Sequence, residues 1–447
     1  MRKCLIGLML AITSGVCVVK AADAGRWQEV LGPSQGTLPA PLEAVKWRSD
    51  LGNAMEQARR ENRPVFVTLR CLPCKQCSAF DKNVLEGGEQ LDPLLKRFVT
   101  VRLTDAQDVD LRLLPMEGFQ DLDLSWWGWF LSPEGRVYGV FGGRDHVSDE
   151  TRISVAALAN TLRRVLAHHY DPRRADWDVD GPAPQTSGPA PTPKTLPGYA
   201  SWYEKGHAEV KAQTCIHCHQ VNEILRQPAV DLKQFDKRRD FDVWPLPENV
   251  GLTIDRDHGL RVTAVERGSA AEKAGIRVGD ELGAAGGRRL FGQADFRGVL
   301  HRGPRGAGAI DVAWTRDGRV MNGTLDVAEG WRRTVLDWRM SVSQGNVGGY
   351  PSFFPLALNP QKRQQRNIPA GTMAIEPYLG PKPSGPAYAA GVRGDDVVTA
   401  VGGESPDVAG RGFLVWFKMR YERGDEVTLT LKDPQGRERT VSYHLAE

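Results

Sequence analysis

A pattern of thirteen residues occurs twice in the second half of the chain and limits the possible folds more than any other feature. The first copy, Gly-Ser-Ala-Ala-Glu-Lys-Ala-Gly-Ile-Arg-Val-Gly-Asp, covers residues 268–280, and the second covers residues 384–396. In each copy an apolar stretch, a Gly-Gly pair, a helical segment and a late strand follow in the same order. A long repeated pattern that is followed by the same elements each time predicts two copies of one structural module.

The N-terminus has the layout of a secretory signal peptide. Arg2 and Lys3 precede an apolar run over residues 5–19, and Ala22-Asp23-Ala24 fits an A-x-A cleavage site. The run is shorter than the ~20 residues that span a bilayer, although an uncleaved anchor helix is the alternative. We predict a signal peptide over residues 1–24, a periplasmic or cell-envelope location, and no transmembrane segment in the mature chain.

The charge of the chain excludes one class of partner. The full sequence has a net charge of +3, and removal of the signal peptide leaves 55 basic and 54 acidic residues. A nearly neutral chain has no general electrostatic attraction to nucleic acid or to an acidic membrane surface. We therefore expect neither as a partner.

Residues 25–175 show one recognisable order of elements. The apolar, β-branched run at 64–69 predicts a buried strand, and a cluster of cysteines follows it at once. Helices are predicted at 51–60, 78–85, 91–96 and 151–168, a strand at 98–103, and a strand hairpin at 127–141. The order strand, CxxC, helix, strand, hairpin, helix resembles the thioredoxin fold, which implies an α/β thioredoxin-like domain.

The cysteines in this domain offer two overlapping CxxC pairs, Cys71/Cys74 and Cys74/Cys77. A cysteine at the start of a helix faces unpaired backbone N–H groups, which stabilise the thiolate and lower the pKa of the thiol. The second pair leads directly into a predicted helix, so we assign Cys74 as the nucleophile, Cys77 as the resolving cysteine and Cys71 as a third thiol nearby. A structural disulfide and a copper or zinc site are the alternatives.

One position departs from the thioredoxin pattern. Thioredoxins carry a cis-proline opposite the CxxC motif, and the matching place falls near Ser125-Trp126-Trp127, where this chain has no proline. That proline shapes the docking of a substrate strand in the family. We therefore expect weak activity on generic disulfides, and we expect the neighbouring tryptophans, including Trp129, to serve packing.

Composition divides the rest of the chain. Residues 181–197, within a predicted linker at 176–200, read GPAPQTSGPAPTPKTLP and predict an extended, semi-rigid spacer between the N-terminal domain and everything after it. A CxxCH segment at 201–243 and two modules at 244–330 and 331–447 follow.

The repeated pattern resembles that of PDZ domains in bacterial envelope proteins, which implies two PDZ-like α+β modules, each a partly open β-barrel. A PDZ domain binds a peptide as an extra strand, and backbone N–H groups receive the terminal carboxylate. In the first module this role falls to Val250, Gly251, Leu252 and Thr253, with residues 293–301 as the flanking helix. In the second module the matching loop is hard to place; residues 356–358 are the candidate, and a structural role alone is the alternative for that groove.

Cys215-Ile-His-Cys218-His219 has the spacing of a c-type haem attachment motif. Two thioethers from Cys215 and Cys218 would hold covalent haem c, with His219 as the proximal ligand and His207 as the sixth ligand. The short segment around the motif weighs against a cytochrome. A local disulfide and another metal remain open alternatives.

The succession of Cys74-Lys-Gln-Cys77, the CxxCH motif, Trp244-Pro-Leu-Pro-Glu-Asn-Val-Gly-Leu252 and the two repeats resembles the thioredoxin-like/PDZ (seleno)protein family of exported bacterial proteins. The resemblance implies this architecture more than a function. The leading interpretation is a thiol–disulfide redox protein with a thiol or disulfide partner protein and with PDZ modules that dock a peptide or a protein C-terminus, and oxidoreductase activity is left open. A non-enzymatic peptide-binding scaffold with structural cysteines and a haem c electron-transfer protein are the alternatives.

The CxxCH motif gives a direct prediction. If the motif holds haem c, protein from a host that matures c-type cytochromes keeps its haem absorbance after denaturation, because the link is covalent. Cys215→Ala then weakens the attachment, and Cys215→Ala/Cys218→Ala abolishes it. A colourless protein of unmodified mass from such a host would decide for the disulfide.

Overall fold

The structure is a computed structural model that describes residues 25–69, 85, 88–107, 109–123, 126–143, 154–184, 188–205, 216–381 and 383–446. The chain divides into two compact units. In the described part, the first unit holds residues up to 196, the stretch 216–218 and residues 243–334, and the second holds residues 197–205, 219–242 and 335–446. The predicted signal peptide lies outside the described residues. Among those described, no helix is long and apolar enough to cross a membrane.

The first unit begins with a four-stranded mixed sheet. Its strands are β1 (Val65–Leu69), β2 (Val99–Leu103), β3 (Trp126–Leu131) and β4 (Val137–Gly143), in the spatial order β2-β1-β3-β4. Strand β1 runs parallel to β2 and antiparallel to β3, and β3 forms a hairpin with β4. The helices are α1 (25–30), α2 (Leu51–Glu61), α3 (Asp92–Leu95), α4 (Val155–His169) and α5 (Arg174–Trp177). The predicted order of elements is confirmed, although the helix at 78–85 lies almost wholly outside the described residues.

Local sequence explains these elements. Every residue of β1 and β3 is buried, as expected for central strands that are covered on both faces. Helix α2 begins where the Asp50 carboxylate accepts a hydrogen bond from the Asn53 amide at 2.9 Å, and it ends at Asn62, which adopts a left-handed conformation. Its buried residues, at positions 51, 54, 55 and 58, form one apolar face.

Helices α6 (Tyr199–Lys205), α7 (Cys218–Asp231) and α8 (Lys237–Asp240) come next in the chain, and the first repeat follows them. It contains β5 (Leu252–Ile254) and β6 (Val262–Val265), which pair with each other, and α9 (Ala270–Lys273). Strands β7 (Glu281–Ala285), β8 (Arg288–Arg289), β9 (Gly308–Arg316) and β10 (Arg319–Val327) form a second sheet in the order β10-β9-β7-β8, and α10 (Gln293–Arg302) lies between β8 and β9 in the chain.

The first repeat packs directly on the thioredoxin-like sheet, because both belong to the first unit. At this contact the Asp295 carboxylate of α10 accepts a hydrogen bond from the Val140 amide of edge strand β4 at 2.7 Å. A Cβ atom on Gly139 would come within 2.8 Å of the same carboxylate, so this approach requires glycine. Phe291 enters the core of the thioredoxin-like domain and meets the Tyr138 ring.

A buried polar network also crosses this contact. His168 Nε2 lies 2.6 Å from Asp180 Oδ1, and the Arg289 guanidinium lies 3.0 Å from His168 Nδ1. Because Arg289 can only donate, His168 Nδ1 must accept, and the ring is neutral. His169 is held in the same way between the Tyr138 hydroxyl, 2.7 Å from Nδ1, and a backbone carbonyl. Desolvation lowers the pKa of His168, and the nearby Arg289 charge adds to that effect.

The proline-rich segment does not separate two independent halves, contrary to the sequence-based expectation. The Gly181 amide donates to the Val137 carbonyl at 2.9 Å, and the Leu111 amide donates to the Pro191 carbonyl at 2.9 Å. Proline lacks an amide hydrogen but keeps its carbonyl acceptor, so such a segment can still bond to a neighbouring domain. The first repeat returns to the N-terminal domain, and the described part of the segment lies along that domain.

The second unit is built on the second repeat. Its elements after α10 are α11 (Met340–Ser343), β11 (Phe354–Ala357), α12 (Pro360–Gln365), β12 (Ile375–Tyr378), α13 (Pro386–Ala389), β13 (Val397–Val401), α14 (Gly410–Arg420), β14 (Glu426–Lys432) and β15 (Glu438–His444). The strands form one sheet in the order β11-β12-β13-β14-β15. The late strand predicted after the second copy of the pattern is thereby confirmed as β14.

We expect the two buried histidines to destabilise the first unit as the pH falls from 7 to 5, against an opposite contribution from Asp295, whose pKa desolvation raises to about 6. The unfolded chain takes up a proton at each histidine near pH 6.5, whereas desolvation lowers the pKa of His168 in the folded protein and lowers that of His169 to about 4. Protonation of either histidine thus favours the unfolded chain below about pH 6.5, and for His169 this amounts to about 1.4 kcal/mol for each pH unit down to about pH 4. Urea unfolding at the two pH values measures the loss.

Two variants test whether the buried network causes this loss. Arg289→Met removes the guanidinium that opposes protonation of His168, so its loss between pH 7 and 5 should be smaller than in the wild type. Arg316→Met is the control, because Arg316 pairs with Asp280 at 2.7 Å and does not bond either histidine. Equal losses of stability between pH 7 and 5 in the wild type and in Arg289→Met would show that the buried network does not cause the loss.

Candidate functional site

The three cysteines of the N-terminal domain, Cys71, Cys74 and Cys77, lie outside the described residues, but the strand before them is described. Strand β1 ends at Leu69, two positions before the first cysteine. Leu69 is paired with Leu103 at the end of β2 and with Trp127 at the start of β3. We call this end of the sheet, formed by Leu69, Leu103 and Trp127, the thiol edge.

The tryptophans beside the thiol edge are packing residues, as predicted. Trp126, Trp127 and Trp129 are fully buried, and the last two rings meet edge to face with centroids 6.2 Å apart. Strand β3 begins at Trp126, the place where the thioredoxin pattern has its cis-proline. The described residues contain no cis peptide bond.

Sequence reasoning missed the long loop that runs along the thiol edge. Residues 104–125 leave β2 after Leu103 and enter β3 at Trp126, so both ends of the loop lie at this edge. Its described part contains no helix or strand. A connection of this length without secondary structure is uncommon in a compact domain and is usually functional. The signal in the sequence is the absence of periodicity between the two strands.

In the first repeat, the predicted carboxylate-binding loop is a 3-10 turn at Pro247–Val250 that ends at Gly251. Gly251 has φ +84°, and a Cβ atom there would collide with Ser269. Ser269 in turn caps α9, where its hydroxyl accepts from the Glu272 amide at 3.2 Å. The loop can therefore pack closely against Ser269 of the repeated pattern only because Gly251 has no side chain.

The strand register shows which backbone groups a peptide would meet. Gly251 and Glu266 are opposite each other, and the Glu266 amide donates to the Gly251 carbonyl at 2.9 Å. Backbone groups of alternate residues point to opposite sides of a strand. The Leu252 backbone therefore faces away from β6, whereas that of Thr253 faces β6. Within the described chain β5 pairs with β6 alone, so the Leu252 side of β5 is an open strand edge.

Helix α10 has the position predicted for the helix that flanks this groove, and it has a second role. Phe296 and Leu300 enter the core of the repeat together with Val250 and Leu252. Most of its other residues are buried as well, and Arg297 is only 2% exposed. At its C-terminal end, Trp244 stacks on His301 with ring centroids 4.2 Å apart. The groove helix is thus also a contact surface of the unit.

The second repeat carries a serine and a glycine at the same two places, with their positions exchanged. Gly385 stands where the first repeat has Ser269, and a Cβ atom on Gly385 would lie 3.9 Å from the Ser352 side chain. Ser352 has φ +64°, so it takes the conformation of Gly251. The loop therefore ends at Ser352, and the candidate at 356–358 was wrong because residues 354–357 form strand β11.

The edge of β11 lacks a donor that a peptide strand needs. Pro355 is paired directly with Pro377 of β12. Neither proline has an amide hydrogen, so the pair is not hydrogen-bonded, and the backbone of Pro355 faces the open side of β11. A peptide that added to this strand would find a carbonyl but no N–H group at Pro355.

The CxxCH motif is described in part, since Cys215 and His207 lie outside the described residues. Cys218 is buried at the start of α7, and His219 Nδ1 lies 3.4 Å from Glu223 Oε1. The other oxygen of Glu223 accepts from the Trp202 indole at 3.0 Å. A carboxylate that holds Nδ1 orients a histidine to ligate through Nε2, so the described donors fit a haem or metal ligand. Among the described residues, no three His, Cys, Asp or Glu side chains cluster as metal ligands.

Helix α7 does not form a separate cytochrome-like body. Phe241, Val342, Val347 and Val415 form one apolar cluster, which joins the segment after α7 to the second repeat. The Arg226 guanidinium of α7 donates to the Ser341 carbonyl. The predicted CxxCH segment at 201–243 is therefore, over residues 219–242, part of the second unit.

The open edge of β5 predicts micromolar binding of C-terminal peptides, roughly −7 to −8 kcal/mol, to the full chain. Gly251→Ala should weaken this binding at least tenfold, because the new methyl group collides with Ser269 and moves the loop. Gly268→Ala is the matched control: Gly268 also has positive φ, but a Cβ atom there meets nothing within 4 Å. Calorimetric titration measures the peptide affinity of both variants, and equal affinities would contradict the assignment of this groove as the peptide-binding site.

Comparison with known proteins supports the first domain. Residues 46–116 match a thioredoxin-like family model, and this span includes β1, β2 and the three cysteines. No curated protein matches the chain. Among solved structures, the chain is similar to an "HtrA-type protease AlgW with decapeptide" (15% identity, 31% of this chain, 41% of that chain, TM-score 0.19). It is also similar to "HtrA-type protease AlgWS227A with decapeptide" (13% identity, 42% of this chain, 54% of that chain, TM-score 0.22).

The chain spans about half of each of these proteases or less. The element order, the sheet order and the match over residues 46–116 agree with one another. The chain contains a thioredoxin-like domain in its N-terminal part.

Proposed function

We propose that the chain is an exported thiol–disulfide redox protein whose first PDZ-like module docks a peptide or the C-terminus of a partner protein. The observation that carries the proposal is the position of the CxxC pairs directly after β1 of a thioredoxin-like domain. Local CxxC spacing in an exported protein favours redox chemistry over structural cross-links. The predicted signal peptide supports a periplasmic or envelope location.

The proposed reaction is a two-step disulfide exchange. The Cys74 thiolate attacks one sulfur of a partner disulfide, a mixed disulfide forms, and the other partner sulfur leaves as a thiolate that takes up a proton. Cys77 then loses its proton and attacks the Cys74 sulfur, which releases the second partner thiolate. The partner gains two electrons, and the chain is left with a Cys74–Cys77 disulfide. The reverse sequence oxidises a partner dithiol.

The docking part of the proposal is supported by the first repeat alone. Its strand β5 has an open edge and a glycine loop at the end where a peptide carboxylate would sit. Pro355 removes a donor from the matching edge of the second repeat. We therefore assign docking to the first module and a structural role to the second.

Covalent haem c at the CxxCH motif is a second candidate, which the orientation of His219 by Glu223 favours. Cys215, Cys218 and His219 would hold the group, with His207 as the sixth ligand. Bound haem would supply one-electron transfer. In that case Glu223 and Trp202 would keep the imidazole of His219 in a fixed orientation.

Alkylation and trapping of the cysteines test the proposed reaction. In the reduced folded protein, iodoacetamide at pH 5–6 should label Cys74 before Cys71 or Cys77, because the helix start favours its thiolate. Cys77→Ser should accumulate mixed disulfides through Cys74, since nothing remains to resolve them. Cys71→Ser/Cys77→Ser should trap more, because Cys71 has the same spacing on the other side.

The matched control is Cys74→Ser/Cys77→Ser, which keeps Cys71 and should trap little. Mass spectrometry of the labelled and cross-linked peptides reads out each position. If Cys74 resists alkylation and forms no mixed disulfide in either trapping variant, the cysteines are structural and the chain is a non-enzymatic peptide-binding scaffold. Insulin reduction is not a suitable readout, because the chain lacks the proline that shapes general substrate docking.

A further inference from the structure

A small polar cavity lies where the first repeat packs on edge strand β4. Its volume is about 10 Å³, which is room for one water molecule or an ion of similar size. Val140 of β4 belongs to its wall. The charged groups among the described lining residues are three guanidinium groups and one carboxylate, from Arg288, Arg289, Arg302 and Asp295. The wall of this cavity therefore has more positive than negative charge.

The carboxylate in this wall is already engaged by backbone donors. Asp295 Oδ1 accepts from the Val140 amide at 2.7 Å. Its Oδ2 atom accepts from the amides of Phe291 and Gly292 at 2.9 and 3.2 Å. Both oxygens of the carboxylate are thus used to fix the start of α10 and the edge of β4.

The three guanidinium groups have neutral partners. Within the described residues none of them forms an ion pair with a carboxylate, and each has one hydrogen-bond acceptor. The acceptors for Arg288, Arg289 and Arg302 are the Val137 carbonyl, His168 Nδ1 and the Gly118 carbonyl. A guanidinium has five N–H donors, so each of the three can bind a further acceptor in the cavity.

The surroundings do not compensate these charges fully. Desolvation lowers the pKa of all three arginines, and the pKa values of Arg289 and Arg302 fall to about 10. For Arg302 the nearby charge of Arg288 adds to this effect. More distant carboxylates oppose it for Arg289, but they have arginine partners of their own, Asp171 with Arg173 and Asp180 with Arg174. The folded protein therefore stabilises these charges less than water does, and a bound anion would offset the difference.

We propose that the cavity binds one small monovalent anion, such as chloride, through the guanidinium groups of Arg288, Arg289 and Arg302. Arg302 is exposed, so an ion can enter on its side from solvent. The donors belong to the first repeat and Val140 belongs to β4, so the ion binds at the contact between the repeat and the thioredoxin-like sheet. An anion that binds only the folded protein stabilises this contact by mass action. The inference involves no cysteine and goes beyond the proposed function.

Chloride-35 NMR on the full chain tests the site, because a chloride ion bound to a slowly tumbling protein broadens the chloride line. The ionic strength is held constant with sodium gluconate while chloride is varied. The wild type should give a broadening that saturates with chloride and that bromide reverses. Gluconate and sulfate should compete poorly, because both are larger than the cavity.

Three variants assign the signal to the cavity. Arg288→Met and Arg302→Met each remove a donor and a positive charge, and each should weaken chloride binding about tenfold, the usual effect of losing a hydrogen bond to a charged group. Arg302→Met carries the test if Arg288→Met does not fold, because Arg302 is exposed. Arg316→Met is the matched control: Arg316 lies in the same repeat but does not line the cavity, so this variant should bind chloride as the wild type does.

Equal broadening in the wild type, Arg302→Met and Arg316→Met would overturn the site. The same conclusion would follow if sulfate reversed the broadening as readily as bromide, because the ions would then be held loosely at the surface. A wild type without saturable broadening would show that the cavity holds water only. None of these outcomes concerns the cysteines, so each leaves the proposed function intact.

Discussion

The contact between Asp295 and edge strand β4 determines the arrangement of the first unit. Within the described chain β4 has a strand neighbour on one side only, and an open edge of this kind invites pairing with another chain unless it is covered. Here the Asp295 carboxylate accepts a hydrogen bond from the Val140 amide, and the Val137 carbonyl accepts hydrogen bonds from the Gly181 amide and the Arg288 guanidinium. Gly139 permits the close approach. Because this contact fixes α10 against the sheet, the arginines further along the helix reach the loop at the thiol edge.

Much of the fold could be predicted from local sequence. The continuous apolar runs of β1 and β3 identify central strands, and the residues at 51, 54, 55 and 58 identify the buried face of α2. The repeat predicted two modules of the same kind, and its glycines at 275 and 279 do have positive φ. These features are local, so a short window of sequence contains the physical reason for each of them.

The contacts that join the modules could not be predicted in this way. Arg297 and Asp121 are 176 positions apart, and neither belongs to a periodic pattern that would mark it. Arg297 lies on a short helix where a charged residue normally faces solvent, so its burial depends on a partner from another domain. The same holds for His168, whose neutral state follows from Arg289 in the repeat. The proline-rich segment is an example, because its composition predicts a spacer between independent halves. Composition shows that amide donors are missing, but it does not show which groups the backbone carbonyls accept hydrogen bonds from.

The two repeats show how one pattern can support different roles. In the first repeat Gly251 is the loop residue opposite Ser269, and only glycine leaves room for this close approach. In the second repeat Ser352 is the loop residue opposite Gly385, and a Cβ atom on Gly385 would be at an ordinary contact distance. The exchange puts φ +64° on a serine, which costs about 1 kcal/mol that glycine avoids. Pro355 on the strand edge also removes one backbone donor that an added peptide strand would use. In the proposed function, docking therefore falls to the first module, the one that packs on the thioredoxin-like sheet.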